Sequence, residues 1–190
     1  MNRFEEFKRK CEAEGTDRHY AGLMPENVYD DVLELLRGFE VIEHSPQEED
    51  WCHLCDSDFG LEVKNPHPGG VPLLIDLAGD FSVFFGEWHA HYDACLDDYE
   101  DWFRPAVKNL LTNARCTLWL ADGNGEWMES ILSETALRRD CGLDAALREC
   151  DIHEEMRERL DKLGGLIRVS YFDPSLSFEI PIPPANKVRQ

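Results

Sequence analysis

The stretch FSVFFGEWHAHYD, residues 81–93, contains the longest apolar run of the sequence and sets the fold expected for its surroundings. We predict one long strand over residues 81–92, with alternate side chains on opposite faces. Phe81, Val83 and Phe85 then share a face with Glu87 and with the ionisable residues that follow. The other face carries Phe84, Trp88 and Tyr92. A bulge at Gly86 is the alternative, and it would exchange the two faces beyond that residue.

Short apolar runs bounded by turn residues lie on both sides of this stretch and predict further strands. Together with residues 81–92, they are residues 41–44, 59–64, 71–77, 116–121, 126–132, 166–172 and 176–182. Strands joined by short turns pair most simply as an antiparallel meander and hairpins.

Helical spacing of apolar residues predicts helices before, between and after these strands. They cover residues 4–11, 25–39, 94–111, 138–149 and 152–163. In the third, the predicted buried stripe is Leu96, Tyr99, Trp102, Phe103, Ala106, Val107, Leu110 and Leu111, and Pro105 predicts a kink or a break.

The order of these elements favours an α+β fold, because helices and strands come in blocks rather than alternating. We expect a mainly antiparallel sheet of about six to eight strands, with helices packed on one side and at the N-terminus. A single domain over residues 1–190 is predicted, with a helical segment at 1–40 and a loose tail at 183–190.

The net charge of −20 limits the kinds of partner, since 39 Asp and Glu face 19 Lys and Arg. Nucleic acids and anionic membranes are bound through Lys and Arg, so neither is expected as a direct partner. A hydrophobic content of 43% is that of a folded domain rather than of an acidic disordered segment. With no secretory signal, no apolar segment long enough to span a membrane and seven irregularly spaced cysteines, a cytoplasmic location is expected.

The acidity is concentrated in residues 11–100, which hold 22 acidic residues and only Arg18, Arg37 and Lys64 as bases. Such asymmetry indicates a basic protein as the partner, with aromatic side chains, Trp102 among them, as anchors. The predicted protein-binding residues are Trp51, Glu87, Trp88, Tyr92, Asp97, Asp98, Tyr99 and Asp101.

Glu87, His89, His91 and Asp93 are the candidates for an alternative, a divalent transition-metal site. Imidazole nitrogens and carboxylate oxygens from one strand face suit zinc, iron or manganese. The pattern resembles the His-x-His of cupins but lacks the glutamate that follows it there. The simpler interpretation is that the ionisable half of the strand lies in water, with no cofactor.

A second pattern, Cys52-x-x-Cys55 with His53 between, has the spacing of half a zinc site. Tetrahedral zinc needs further ligands, and the sequence has no second Cys-x-x-Cys. Ordinary loop cysteines remain the simpler interpretation.

The stretch GDFSVFFGEWHAHYD, residues 79–93, is similar to strands of small acidic bacterial proteins, some of which are immunity proteins encoded beside polymorphic toxins. The resemblance implies a cytoplasmic, non-enzymatic protein that occludes a basic nuclease toxin. Three hypotheses follow: an acidic binding protein of this kind, a metal-dependent enzyme, and a structural domain whose acidity serves solubility.

Overall fold

The computed structural model describes residues 26–44, 60–77, 81–93 and 96–185, with single helical positions at 6, 9 and 13. Contacts divide the chain into two compact units. Unit 1 comprises the described residues of 1–66, 71–85 and 90–108, and unit 2 those of 67–70, 86–89 and 109–185. The expectation of a single domain over residues 1–190 stays a prediction.

The first sheet has five strands, each paired with the next one along the chain. They are β1 (Val41–His44), β2 (Gly60–Val63), β3 (Leu73–Asp76), β4 (Phe81–Phe85) and β5 (Trp88–Tyr92). One face is apolar because alternate residues are buried, such as Leu61 and Val63 on β2 and Leu73 and Ile75 on β3.

The prediction of one long strand over residues 81–92 is wrong, because the chain reverses between β4 and β5. Gly86 opens the two-residue turn with φ of 59°, a conformation that favours glycine. The faces are exchanged beyond the turn, as a bulge would also have done. Ser82 now lies beside His91, with its hydroxyl oxygen 2.7 Å from the Nδ1 atom.

Within the continuous described ranges, two helices belong wholly or largely to unit 1. Helix α1 (Glu26–Leu35) buries Val28, Tyr29 and Val32. The helical segment α2 consists of Leu96–Asp98, the π-helical turn Tyr99–Phe103 and Arg104–Leu111.

Unit 2 contains a four-stranded antiparallel sheet in the order β7-β6-β8-β9. Its strands are β6 (Thr117–Asp122), β7 (Trp127–Leu132), β8 (Gly165–Ser170) and β9 (Phe178–Ile182), and its helices are α3 (Leu143–Glu149) and α4 (Glu154–Leu163). Leu118 and Leu120 of β6 share one buried cluster with Ile167 of β8 and with Met156 and Leu160 of α4.

The α+β class and the antiparallel pairing are confirmed, and the described strands number nine, in two sheets. Across the described ranges, no helix is both long and apolar enough to cross a membrane.

Candidate protein-interaction surface

Helix α2 continues through Pro105 instead of breaking there, and it does so directly after a π-helical turn. Proline has no N–H to donate, and its ring crowds the carbonyl group four residues earlier, here that of Asp101. The N–H of Arg104 donates to the carbonyl of Tyr99, five residues back, so the turn before Pro105 is wider than in an α-helix. The wide turn gives the proline ring room, and the predicted break is therefore replaced by a local change of pitch.

This change of pitch removes Trp102 from the stripe in which the sequence places it. In a wider turn each residue rotates by less, so position i+4 returns to the starting face and position i+3 falls short of it. Tyr99 and Phe103 are accordingly buried, with ring centroids 5.6 Å apart. Trp102 is 63% exposed, so its prediction as a buried residue is wrong.

Tyr99 fastens the π-helical turn to helix α1. Its ring is 2% exposed and lies 5.8 Å from that of Phe81, and its hydroxyl donates to the carboxylate of Asp31. The same carboxylate accepts a second hydrogen bond from Nε of Arg104, at 2.8 Å. The turn is therefore held by two hydrogen bonds to Asp31, from residues that lie 68 and 73 positions further along the sequence.

The pKa values in this network follow from its geometry. Burial disfavours the charged form of Asp31, but the hydrogen bonds from Tyr99 and Arg104 outweigh it and lower the pKa of the carboxyl group. Burial, and then the neighbouring Asp31 carboxylate, raise the pKa of the Tyr99 phenol. At neutral pH the network is thus a charged carboxylate held by a neutral hydroxyl and a guanidinium.

Acidic residues precede Trp102 in the same helical segment. Asp97, Glu100 and Asp101 are exposed, and Asp98 is half-buried and accepts the backbone N–H of Asp93 at 3.1 Å. Neither Asp97 nor Asp101 forms an ion pair with any residue that the structure describes. We call Trp102 and these carboxylates, Asp97, Asp98, Glu100 and Asp101, the Trp102 surface.

The predicted protein-binding residues differ in exposure, and the structure brings only some of them together. Trp88 and Tyr99 are buried, so a partner at the surface does not reach them. Tyr92 is half-buried, with its ring 6.1 Å from that of Phe103, and Glu87 lies in the β4–β5 turn. Trp51 lies outside the described residues. The acidic residues of α2, Asp97, Asp98 and Asp101, are the members that come together.

Glu100 is missing from the predicted binding residues, and the sequence predicts Trp102 both as an aromatic anchor and as part of the buried stripe of the helix, which cannot both hold. The signal that could have placed Trp102 at the surface was Pro105, three positions further along. A proline inside a helical pattern disturbs the turn before it, and so the regular spacing that puts Trp102 on the buried face.

All four candidate metal ligands, Glu87, His89, His91 and Asp93, are exposed, and two of them have described side-chain partners. His91 is held at Nδ1 by Ser82, and the carboxylate of Glu87 is 3.6 Å from the guanidinium of Arg168. Among the described residues, no three His, Cys, Asp or Glu side chains are grouped so as to hold a metal ion. The metal hypothesis remains untested, since residues 45–59, with Cys52, His53 and Cys55, lie outside the described part.

The outer face of the first sheet carries a row of polar side chains that sequence reasoning did not assemble. Asp76 of β3 and Ser82 of β4 are paired in register and buried. Ser82 and His91 are a hydroxyl and an imidazole within hydrogen-bonding distance, as nucleophilic catalysis requires. Ser82 is only 3% exposed, whereas His91 is exposed, and the contact between them holds the His91 ring against β4.

At the other end of this face, one carboxylate joins two basic side chains. Glu62 of β2 accepts from Nζ of Lys64 at 2.7 Å and lies 2.9 Å from Nε2 of His44. Burial opposes the charge on Glu62, but these two partners outweigh it and lower the pKa of the carboxyl group. Both carboxylate oxygens are thereby occupied within the sheet, which is a structural rather than a catalytic arrangement.

No protein-family model matches this chain, and no curated protein or solved structure is significantly similar to it.

Proposed function

We propose that this chain is a non-enzymatic, acidic, cytoplasmic binding protein that docks on a basic protein through the Trp102 surface, as an immunity protein does on its toxin. The observation that carries the proposal is the 63% exposure of Trp102 in a helical segment that also carries the exposed carboxylates of Asp97 and Asp101. A large exposed aromatic side chain bordered by charge is a common centre of binding energy in protein interfaces.

The chemistry of this surface selects a basic partner. The indole face attracts a Lys or Arg side chain by a cation–π interaction, and the exposed carboxylates of the same helical segment favour the same cations. Polyanions are repelled, which argues for a protein partner rather than nucleic acid or an anionic membrane. Arg104 does not offset this charge, since Asp31 already neutralises it at 2.8 Å.

The two components of the surface have different expected effects on binding. Exposed carboxylates steer a basic partner and mainly raise the association rate, an effect that salt screens. Trp102 is desolvated in the complex and mainly lowers the dissociation rate. Its removal is expected to cost at least about 2 kcal/mol, or roughly 30-fold in Kd.

The first step is to read the genes beside this chain's own: a toxin-like open reading frame with a basic domain supports the proposal, and the lack of one counts against the immunity role. Binding to that domain is then followed by biolayer interferometry. The double variant D97N/D101N should slow association several-fold at low salt and should flatten the dependence of Kd on salt.

The control is D151N/D161N, which removes the same charge from two exposed aspartates of unit 2. It should leave association close to the wild-type rate. No binding of the wild-type chain at low salt, or equal effects of the two double variants, would contradict the proposal.

A further inference from the structure

A surface groove of about 320 Å³ in unit 2 has the opposite character to the Trp102 surface. Its lining includes the apolar side chains of Leu137 and Leu176, the ring of Tyr171, and the polar residues Asn113, Arg138 and Arg139, of which both arginines are exposed. Leu176 is 47% exposed, one of few large apolar side chains in the described ranges left open to this extent. The combination is an apolar floor with a cationic edge, in a chain whose net charge is −20.

The two arginines at the rim differ in what already holds them. Arg139 donates from Nη2 to the carbonyl of Ser177 at 2.9 Å, and its guanidinium lies 5.9 Å from the ring centre of Phe178. The side chain of Arg138 is exposed, and its guanidinium forms no hydrogen bond or ion pair with any described residue. Its five N–H donors are therefore open to an anion, for which a carboxylate has the matching planar geometry.

The groove is held in shape before any ligand arrives. The Tyr171 hydroxyl donates to the carbonyl of Leu137, which joins the two sides of the floor. Asn113 accepts the backbone N–H of Asp173 through Oδ1 at 2.8 Å, which leaves its amide nitrogen as a further donor. Binding to such a preformed surface costs less ordering of the protein.

Two aspartates lie near enough in sequence to affect an anion here. The Asp173 carboxylate accepts the backbone N–H of Ser175 at 2.9 Å and lies 3.8 Å from Nδ1 of His67, and it forms no described ion pair with Arg138. Asp140 follows the two arginines and is exposed to water, where its charge is screened. The cationic edge at Arg138 is therefore not cancelled by a direct ion pair.

We propose that this groove binds the C-terminal residue of a peptide whose last side chain is apolar. The side chain lies on Leu137 and Leu176, and the terminal carboxylate pairs with Arg138. In the groove, the apolar side chain of Leu137 and the cation of Arg138 belong to consecutive residues, so they are close together. The C-terminal residue of a peptide matches this pair, because it carries an apolar side chain and a carboxylate on the same Cα atom. Capture of a C-terminal carboxylate is a known way of recognising peptides.

The test is an amide chemical-shift titration of the full chain with the peptide acetyl-Ala-Ala-Leu, as the free acid and as the C-terminal amide. The acid should shift signals of residues 136–139 and 175–177 and bind at least about tenfold more tightly than the amide, since charge-assisted hydrogen bonds are the stronger ones. No localised shifts at millimolar peptide, or equal binding of acid and amide, would overturn the proposal.

Variants separate the charge from the apolar contact. R138Q should weaken binding of the acid about tenfold. The control is R148Q, which removes another exposed arginine of unit 2 that has no described ion pair, and it should leave the affinity unchanged. L176A should weaken acid and amide alike. Wild-type affinity in R138Q would overturn the assignment, and its folding is checked by the unchanged positions of distant signals.

A small carboxylic acid tests whether the groove recognises a peptide or any apolar acid. 4-Methylpentanoate has the leucine side chain and the carboxylate but no peptide. It should bind more weakly than the tripeptide acid, because it lacks the backbone that Asn113 can contact. Equal affinities would mean that the groove takes free apolar acids, and they would overturn the peptide assignment without affecting the Trp102 proposal.

Discussion

Replacing Tyr99 with phenylalanine removes the hydroxyl that fastens the π-helical turn to Asp31 and leaves the buried ring in place. A hydrogen bond to a charged acceptor contributes about 1.5–3 kcal/mol. The Asp31 side chain is 38% exposed and keeps its bond to Arg104, so we expect a loss near the lower end, about 1.5 kcal/mol in the free energy of unfolding. For a chain of 190 residues this lowers the melting temperature by roughly 3–6 °C.

The loss should depend on pH, because the Tyr99 hydroxyl bonds to a charged carboxylate. The folded state lowers the pKa of Asp31, so its stabilising contribution is present above the unfolded pKa of about 3.9 and is lost as the pH falls through the folded value. In Y99F the folded pKa moves back up toward the ordinary value. The difference between wild type and Y99F should therefore be largest at pH 7 and shrink below about pH 4.

Urea unfolding of wild type, Y99F, D31N and Y99F/D31N at pH 7 and pH 3 measures this contribution as a double-mutant cycle. The coupling between the two residues should be at least about 1 kcal/mol at pH 7 and smaller at pH 3, below the unfolded pKa of Asp31. A coupling below about 0.5 kcal/mol at pH 7, or the same coupling at both pH values, would refute the argument.

Two further predictions concern stability. D122A should lower the melting temperature more than R159Q does, because it removes the acceptor of the Asn124 and Glu126 N–H groups as well as the partner of the Arg159 guanidinium. Thermal melts that rank the two variants the other way would contradict this. Burial opposes the charge on Asp122, but these bonds lower its pKa, so the contribution is present above the unfolded pKa and is lost as the pH falls. Modest added salt should raise the melting temperature by screening the acidic residues of 11–100, and a flat or falling response would mean that they are paired or dispersed.

Local pattern was enough to predict the strands of unit 2. Residues 116–121 and 126–132 alternate around the turn residues 122–125, and the structure has Thr117–Asp122 and Trp127–Leu132 there. A Gly-containing turn between two short apolar runs specifies a hairpin almost by itself. The α+β class follows from the same local signals.

The β4–β5 hairpin could not be predicted in the same way, although Gly86 marked the place. A single glycine within an apolar run is compatible with a bulge and with a turn, and the pairing of strands decides between them. Ser82 and His91, whose side chains meet across the hairpin, are nine positions apart and carry no local signal for that contact.

The negative charge of the Trp102 surface could be predicted from the sequence, but the exposure of Trp102 could not be predicted from regular helical spacing. Asp97, Asp98 and Asp101 stand out as a cluster in the sequence, whereas regular helical spacing places Trp102 among buried residues. The contact of Tyr99 with Asp31, 68 positions away, holds the wide turn that exposes Trp102. A contact of that range overrides the local pattern and cannot be inferred from it.

The most direct measurement compares the affinities of W102A and W127A for the basic domain of the toxin-like protein encoded beside the gene. The two tryptophans are matched in exposure, at 63% and 60%, but Trp127 lies on β7 of unit 2. We predict that W102A weakens Kd by roughly 30-fold or more and that W127A changes it less than about threefold. Equal losses in the two variants, or no loss in W102A, would contradict the claim that Trp102 is the centre of the binding surface.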